Sequence, residues 1–388
     1  MRVLYVTNRF PGRSTRGDQL RAYHHVRALA ARHAITLLSF GQPEDAAAAA
    51  ELRACCAETI VAPRSLASIL AHGLWGWMRG EALQVAAYRG MPGAAQWSRL
   101  CTPDRFDLAH LQLIRLAPLL DALAPLPCTL DLVDALSLNM ARRGARDRGP
   151  AGWIARLEAP RLAALEQAVC RSATGVAICS AADRAAISVE SIALVPNGVD
   201  LAAFPYVAEQ QARRDIVFVG NLGYYPNIDA VQWFVSEVLP RVDQPARLQL
   251  VGARPARAIR ALAAPSPRVD LIGPVPDVHP YLRAAAVAVV PMRAGSGQQL
   301  KLIEAMASGT AVVTSSLSAA GLALRDGVHA LIADDPAAMA AAVDRLLADA
   351  DLRAALAQQA RLLVEQAHSW EASAAALERL WLSRLAPT

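Results

Sequence analysis

One segment concentrates residue types that could bind a charged, hydroxylated ligand: Pro291-Met-Arg-Ala-Gly-Ser-Gly-Gln-Gln-Leu-Lys-Leu-Ile-Glu-Ala-Met-Ala-Ser-Gly309. An apolar run ends at Pro291, a Gly-Ser-Gly turn follows, and Leu300, Ile303 and Met306 recur at helical spacing. Gly295, Ser296, Gly297 and Gln298 are therefore expected to form a helix N-terminus beside a sheet edge. Amides at such a terminus attract phosphate. Gln299 adds neutral donors, and Lys301, one turn in, brings a full positive charge to the same anion. Glu304 lies three residues further on, and its carboxylate can accept two hydrogen bonds from a vicinal diol such as a ribose. An ordinary strand-turn-helix with a surface Lys and Glu pair would read the same way. The lysine is nevertheless conspicuous: of the 39 basic residues, 38 are arginine and only Lys301 is lysine.

The elements that must position this segment follow an alternating rhythm. In the first half, apolar runs suited to strands are Val3 to Thr7, Ile35 to Phe40, Thr59 to Val61, Leu108 to Leu111, Thr129 to Val133, Gly175 to Cys179 and Ala193 to Val195. In the second half they are Ile216 to Gly220, Leu248 to Gly252, Val269 to Gly273, Val287 to Pro291, Ala311 to Thr314 and Ala330 to Ala333. Amphipathic helices separate them, the pattern of parallel sheets covered on both faces. The turn chemistry of Pro196, Asn197 and Gly198 marks a chain reversal. The predicted fold class is α/β, with two Rossmann-like doubly wound parallel-sheet domains facing across a cleft. The first spans residues 1–195 and takes back residues 370–388; the second spans 196–369. Asp335 before Pro336 should cap a long helical stretch that breaks near His368 and Ser369.

Composition sets the class. A chain of 388 residues with 54% apolar and 19% charged residues can build two cores and is too apolar for disorder. The six cysteines form no C-x-x-C, so neither a zinc site nor a disulfide framework is expected. Residues 1–190 hold 22 basic and 16 acidic side chains, against 17 and 18 in the remainder. Seven arginines precede residue 35 with Asp18 as the one acid, which suggests an anionic partner. No zinc-finger spacing or RNA-binding aromatic motif accompanies this charge, so nucleic acid is not expected. No secretory signal follows Met1, and a cytoplasmic chain is expected, with peripheral contact at the inner membrane face through the basic N-terminal domain. Leu66 to Met78 is too short to span a bilayer; it reads first as a buried helix, with rest on a membrane surface as the alternative.

With these residues in view, the sequence resembles the retaining glycosyltransferases of GT-B architecture, specifically glycosyltransferase family 4 and a bacterial polysaccharide-associated branch. Glu304-Ala-Met-Ala-Ser-Gly resembles the second half of the family's Glu-x7-Glu motif. Val195-Pro-Asn-Gly-Val-Asp200 looks like its inter-domain segment, and Phe218-Val-Gly-Asn-Leu222 like its first strand and phosphate-proximal loop. Tyr225-Pro-Asn-Ile-Asp229 with Trp233-Phe234 is similar to the bacterial branch. Arg9-Phe-Pro with Gly17-Asp18 resembles the N-terminal loop, and Trp370-Glu371 the start of the crossover helix. Three positions depart from the pattern: Ser296 replaces the motif's first acid, Asn221 and Leu222 stand where an arginine is usual, and Gln299 replaces a basic residue.

The resemblance implies transfer of a sugar from a nucleotide-diphosphate-sugar, of UDP or GDP type, to an acceptor hydroxyl with retention and without a metal or resident cofactor. Lys301, Glu304 and Asp18 would be catalytic. Donor binding would fall to Gly17, Gly220, Asn221, Val275, Gly295, Ser296, Gly297, Gln298, Gln299 and Leu300, together with Lys301 and Glu304. Arg16, His24, Gln112, Arg115 and Asp134 are acceptor-side candidates, for a lipid-linked or polysaccharide acceptor. Arg293 is a further cation near the diphosphate. Asp18 and Asp134 could equally be helix caps, and His24 and His25 solvated residues of the first helix. Asp349-Ala-Asp351 reads as capping rather than as a metal clamp. Two rivals stay open: a nucleotide-sugar epimerase of the same architecture, and a catalytically degenerate binding protein.

Overall fold

The computed structural model describes residues 1–13, 16–62, 65–89, 102, 104–208, 213–264 and 266–385. The chain divides into two compact units, Met1–Pro196 with Trp370–Thr388, and Asn197–Ser369. The first contains strands β1 (Arg2–Thr7), β2 (Ala34–Ser39), β3 (Glu58–Val61), β4 (Leu108–Gln112), β5 (Cys128–Asp131), β6 (Gly175–Ile178) and β7 (Ala193–Leu194). They pair in parallel in the order β3-β2-β1-β4-β5-β6-β7. The second contains β8 (Arg214–Val219), β9 (Leu248–Val251), β10 (Val269–Gly273), β11 (Ala285–Val290), β12 (Ala311–Thr314) and β13 (Leu331–Ile332), parallel in the order β10-β9-β8-β11-β12-β13.

Both orders reverse direction beside the first strand, between β1 and β4 and between β8 and β11. A doubly wound sheet opens a crevice at this switch point, outside the carboxyl ends of the strands. The central strands earn their place by composition. Every residue of β11, Ala-Ala-Val-Ala-Val-Val, is buried, as a strand covered by helices on both faces requires.

Caps end and restart the helices of the second unit. Asp335 accepts hydrogen bonds from the Ala337 and Ala338 amides at 3.0 Å, and Asp349 accepts one from Leu352 at 2.9 Å. The latter is the capping role read for Asp349. The last helix, Trp370–Leu385, returns to the first unit and buries Trp381 completely against the rings of His110 and Tyr5.

Three local expectations are corrected. The helix of the ligand segment begins at Leu300 with Gln299 as its N-cap, so Gly295 to Gln298 form the loop before it. Strand β5 stops at Asp131 because Val133 takes φ +66°, a left-handed conformation costly for a β-branched residue. The helix Leu66–Met78 is not buried: Leu66, Leu70, Leu74, Trp75 and Met78 are at least half exposed.

Candidate functional site

In the second unit the ligand segment lies at the switch point between β8 and β11. Gly220 closes β8, and its amide bonds the Val251 carbonyl at 3.0 Å. A Cβ at Gly220 would stand 3.1 Å from Lys301 Cε and 3.0 Å from Asn227 Nδ2, so the bare backbone lets the lysine lie directly against the strand end. Gly252, after β9, has the same role behind it. With φ +150°, a Cβ there would fall 1.7 Å from the Gly220 carbonyl oxygen.

Lys301 occupies the first turn of the helix Leu300–Ala307 and is partly buried. Its Nζ donates to Asn227 Oδ1 at 2.7 Å and to Gln299 Oε1 at 3.2 Å, and it lies 5.5 Å from the Phe218 ring centroid. Asn227 is oriented in turn by donating from Nδ2 to the Asn221 carbonyl at 2.9 Å, while Asn221 Oδ1 accepts from the Gly223 amide at 3.0 Å. Burial lowers the Lys301 pKa to about 8, against the opposing pull of Glu304.

Glu304 sits one turn along the same helix and is also partly buried; burial raises its pKa to about 7, and Lys301 opposes the rise. Its carboxylate accepts no hydrogen bond among the described residues. A desolvated cation and a desolvated, unbonded carboxylate on one helical stripe hold the charges a phosphorylated diol would satisfy.

Of the other predicted donor residues, Gly17 opens the helix Gly17–Ala30 of the first unit, and the rest belong to the second. Gln298 Oε1 accepts from the Asn197 amide at 2.7 Å, and Gln299 Nε2 donates to the Ser296 carbonyl at 3.4 Å. Gly295 and Gly297 have φ +111° and +71°, so the loop is bent by residues without Cβ. Val275 and Leu300 pack partly buried on the second core. Arg293 is turned elsewhere: its guanidinium grips Asp229 through two bonds of 2.7 and 3.1 Å and lies over Trp233. Asn227 went unnoticed as a site residue in the sequence, although it sits in the quoted Tyr225-Pro-Asn run and its amide is the closest partner of the ammonium.

The first-unit candidates divide differently. Asp18 is not a cap, because Arg16 holds the N-cap position of the helix Gly17–Ala30 and makes no side-chain capping bond. Asp18 instead lies in the first turn, where the helix dipole favours an acid, and pairs with Arg9 at 3.0 Å. Its carbonyl accepts from the buried Gln112 Nε2 at 3.0 Å, so these two candidates meet beyond the ends of β1 and β4. Arg16 bonds Glu44 at 3.2 Å, and Arg115 bonds Gln84 at 2.6 Å. Asp134 precedes a helix, Leu136–Arg146, whose N-cap is Ala135 without a side-chain bond.

His25 is not solvated, and His24 is only partly exposed. His24 stacks on Trp370 with ring centroids 4.6 Å apart and planes at 6°, while His25 is fully buried and bonded to Ser373 Oγ at 2.8 Å. Burial and the neighbouring Arg21 hold the His25 pKa well below its ordinary value.

Sequence reasoning also missed the Arg21–Asp131 pair, both side chains fully buried at 2.7 Å. Arg21 further donates to the carbonyls of Val195 at 2.8 Å and Pro196 at 3.1 Å. Asp131 Oδ1 accepts from the Val133 amide at 2.9 Å and its carbonyl from the Leu113 amide at 2.8 Å. Both of those amide donors have positive φ, so Asp131 fixes the two strained turns at the sheet's carboxyl edge. One arginine among seven near the N-terminus gave no local signal of this role.

Two parallel Rossmann-like sheets, each reversing its order beside its first strand, are the fold shared with the GT-B glycosyltransferases. Residues 213–349 match the family of glycosyl transferases group 1.

Among curated proteins it is similar to D-inositol 3-phosphate glycosyltransferase of Acidothermus cellulolyticus, with 34% identity over 197 residues, covering 44% of this chain and 43% of the relative. It is also similar to phosphatidyl-myo-inositol mannosyltransferase of Mycobacterium tuberculosis, with 32% identity over 167 residues, 40% of this chain and 43% of the relative. The chain spans about half the length of the curated relatives it matches.

Sucrose-phosphate synthase of Thermosynechococcus elongatus shares the fold over the full length of both chains, with a TM-score of 0.76 at 18% identity. HepE of Anabaena, solved in complex with UDP-glucose, shares it with a TM-score of 0.69 at 16% identity, over 99% of this chain and 100% of that one. Among the described residues no helix is long and apolar enough to cross a membrane.

Proposed function

We propose that this protein is a glycosyltransferase that moves a sugar from a nucleotide-diphosphate-sugar to an acceptor hydroxyl, with retention and without a metal, in polysaccharide or glycolipid synthesis. The observation that carries the reading is the half-buried Lys301 ammonium laid against Gly220 at the switch point, with the unbonded Glu304 carboxylate one turn on. Support comes from the family match over residues 213–349 and from the curated relatives, both of which are named as sugar transferases.

In the reaction, the bond between the anomeric carbon and the diphosphate oxygen breaks as a bond from the acceptor oxygen forms on the same face. The acceptor proton passes to the departing phosphate. Lys301 and the N-terminal amides of the helix Leu300–Ala307 stabilise the charge that grows on the diphosphate, which is the main contribution asked of this site. Glu304 holds the nucleotide ribose through two hydrogen bonds. On this reading Asp18 and Gln112 of the first unit take the acceptor, and the buried Asp131 fixes the turns at Leu113 and Val133. A UDP or GDP donor and a lipid-linked or polysaccharide acceptor fit these groups and the arginine-rich first unit.

Calorimetric titration with UDP, GDP, ADP and dTDP tests the donor site, and release of free nucleotide from the matching sugar nucleotide tests turnover. One nucleotide should bind, and Lys301→Ala and Glu304→Ala should each abolish most turnover while the protein stays folded. Binding of none of the four, or full turnover by both variants, overturns the proposal.

A further inference from the structure

The helix Leu66–Met78 of the first unit is built inside out. Its buried residues are Gly73 and Gly76, while its large apolar residues face solvent, from Trp75 at 50% exposure to Leu66 at 77%. The packing enforces this orientation. A Cβ on Gly76 would lie 2.5 Å from Ala86 Cβ, and one on Gly73 would lie 3.4 Å from Leu83 Cδ1, so only the small face can approach the helix Leu83–Ala86. Leu66, Leu70, Leu74 and Met78 follow at four-residue steps and form one stripe along the exposed side. A helix selected to fill a core would point these residues inward.

The charge around the stripe says what covers it. The helix itself contains no Asp, Glu, Lys or Arg. Arg79 lies over the Trp75 ring at 4.5 Å, and Arg161 lies over Trp77 at 5.4 Å and donates to the Glu81 carbonyl at 3.3 Å. On the neighbouring helix, Pro150–Ser172, Ile154 is 41% exposed and Trp153 53% exposed, one turn from the Glu158 that bonds the Leu83 amide. Among the described residues two cations thus lie against this helix, Arg79 at its own C-cap and Arg161 from the helix Pro150–Ser172. Leucines flanked by tryptophan rings and arginines suit the boundary between lipid headgroups and acyl chains, and the arginines select anionic headgroups. Thirteen residues reach only about 20 Å, short of a hydrocarbon core of about 30 Å, so the helix would lie in the interface plane.

We propose that this face is a peripheral docking surface for an anionic lipid bilayer, with Leu70, Leu74 and Trp75 entering the interface and Arg79 meeting lipid phosphates. It deepens the acceptor side of the function proposed above, because a lipid-linked hydroxyl resides at the same boundary; its test is nonetheless independent of turnover.

Flotation of the full chain with phosphatidylcholine vesicles, with and without phosphatidylglycerol, reads the interaction. The parent should float with the anionic vesicles and much less with the neutral ones. Leu70→Asp combined with Leu74→Asp should lower partitioning at least about tenfold while circular dichroism and melting temperature stay unchanged, since both side chains are exposed. Arg79→Gln should lower it by roughly fivefold and weaken its salt dependence.

A parent that stays at the bottom of the gradient overturns the proposal. So does a double variant that floats equally well, or a parent dimer in light scattering that the double variant dissolves without any flotation in either protein. Flotation without nucleotide-sugar turnover leaves this surface standing and removes the catalytic reading instead.

Discussion

The partly desolvated ammonium makes nucleotide affinity a function of pH. Lys301 is lowered to about 8 by burial, and Glu304, already largely ionised above its own value of about 7, opposes that shift. A diphosphate is held by the ammonium and not by the amine. Its last ionisation lies near 6, so from pH 7.5 to pH 9 the titrating group that matters is Lys301. The ammonium fraction falls from roughly three-quarters to about a tenth over that range, and the affinity of the cognate nucleoside diphosphate should fall about eightfold with it.

Calorimetry in buffers of different ionisation enthalpy should show uptake of about half a proton per nucleotide at pH 8, as binding recharges the amine. Lys301→Arg should abolish both signals, because a guanidinium stays charged throughout. Lys301→Met should bind about 10- to 100-fold more weakly at pH 7.5, the loss expected for a hydrogen bond to a charged group. An affinity that is flat between pH 7.5 and 9, or a slope that survives Lys301→Arg, refutes the assignment of this lysine to the diphosphate.

Other perturbations follow from the packing. Burial raises the folded-state pKa of Glu304 from its ordinary 4.5 to about 7, so the folded protein binds its proton more tightly and loses stability as pH rises from 4.5 through 7. Glu304→Gln should therefore raise the unfolding free energy by about 1–2 kcal/mol at pH 8 and by much less at pH 5, read from thermal melts. Gly252→Ala puts a methyl 1.7 Å from the Gly220 carbonyl oxygen and should cost at least about 3 kcal/mol in urea unfolding, or prevent folding of the second unit. Arg21→Met or Asp131→Leu alone should cost about 3–5 kcal/mol by stranding a buried charge, whereas the double variant should cost less than the sum of the two in a denaturant cycle.

The strands were legible because their signal is local. Runs such as Ala285 to Val290 are apolar without interruption, and a doubly wound fold is the arrangement that buries both faces of several such runs. Caps at Asp335 and Asp349 were legible for the same reason: the acceptor and its amides lie within three residues. Lys301 and Glu304 could be picked out from helical spacing.

What the sequence hid depends on residues brought together from far apart. Asn227 reaches Lys301 across 74 positions, Arg21 reaches Asp131 across 110, and His25 meets Ser373 across 348. The capping alternative for Asp18 fails because the pattern of a polar residue before a helix fixes the start only to within a residue or two. The helix Leu66–Met78 was misread because hydrophobicity reports that leucines avoid water, while its glycines, and not its leucines, decide which side touches the protein.

The way Trp381 seals the first sheet sets an order of events on the ribosome. Its indole completes the cover over Tyr5 and His110, and Ser373 bonds both His25 and the Pro196 carbonyl. Every residue of Asn197–Ser369 is synthesised before those contacts can form. The half that is translated second can therefore finish folding first, and the half that emerges first must wait, incomplete, for the last helix to leave the exit tunnel.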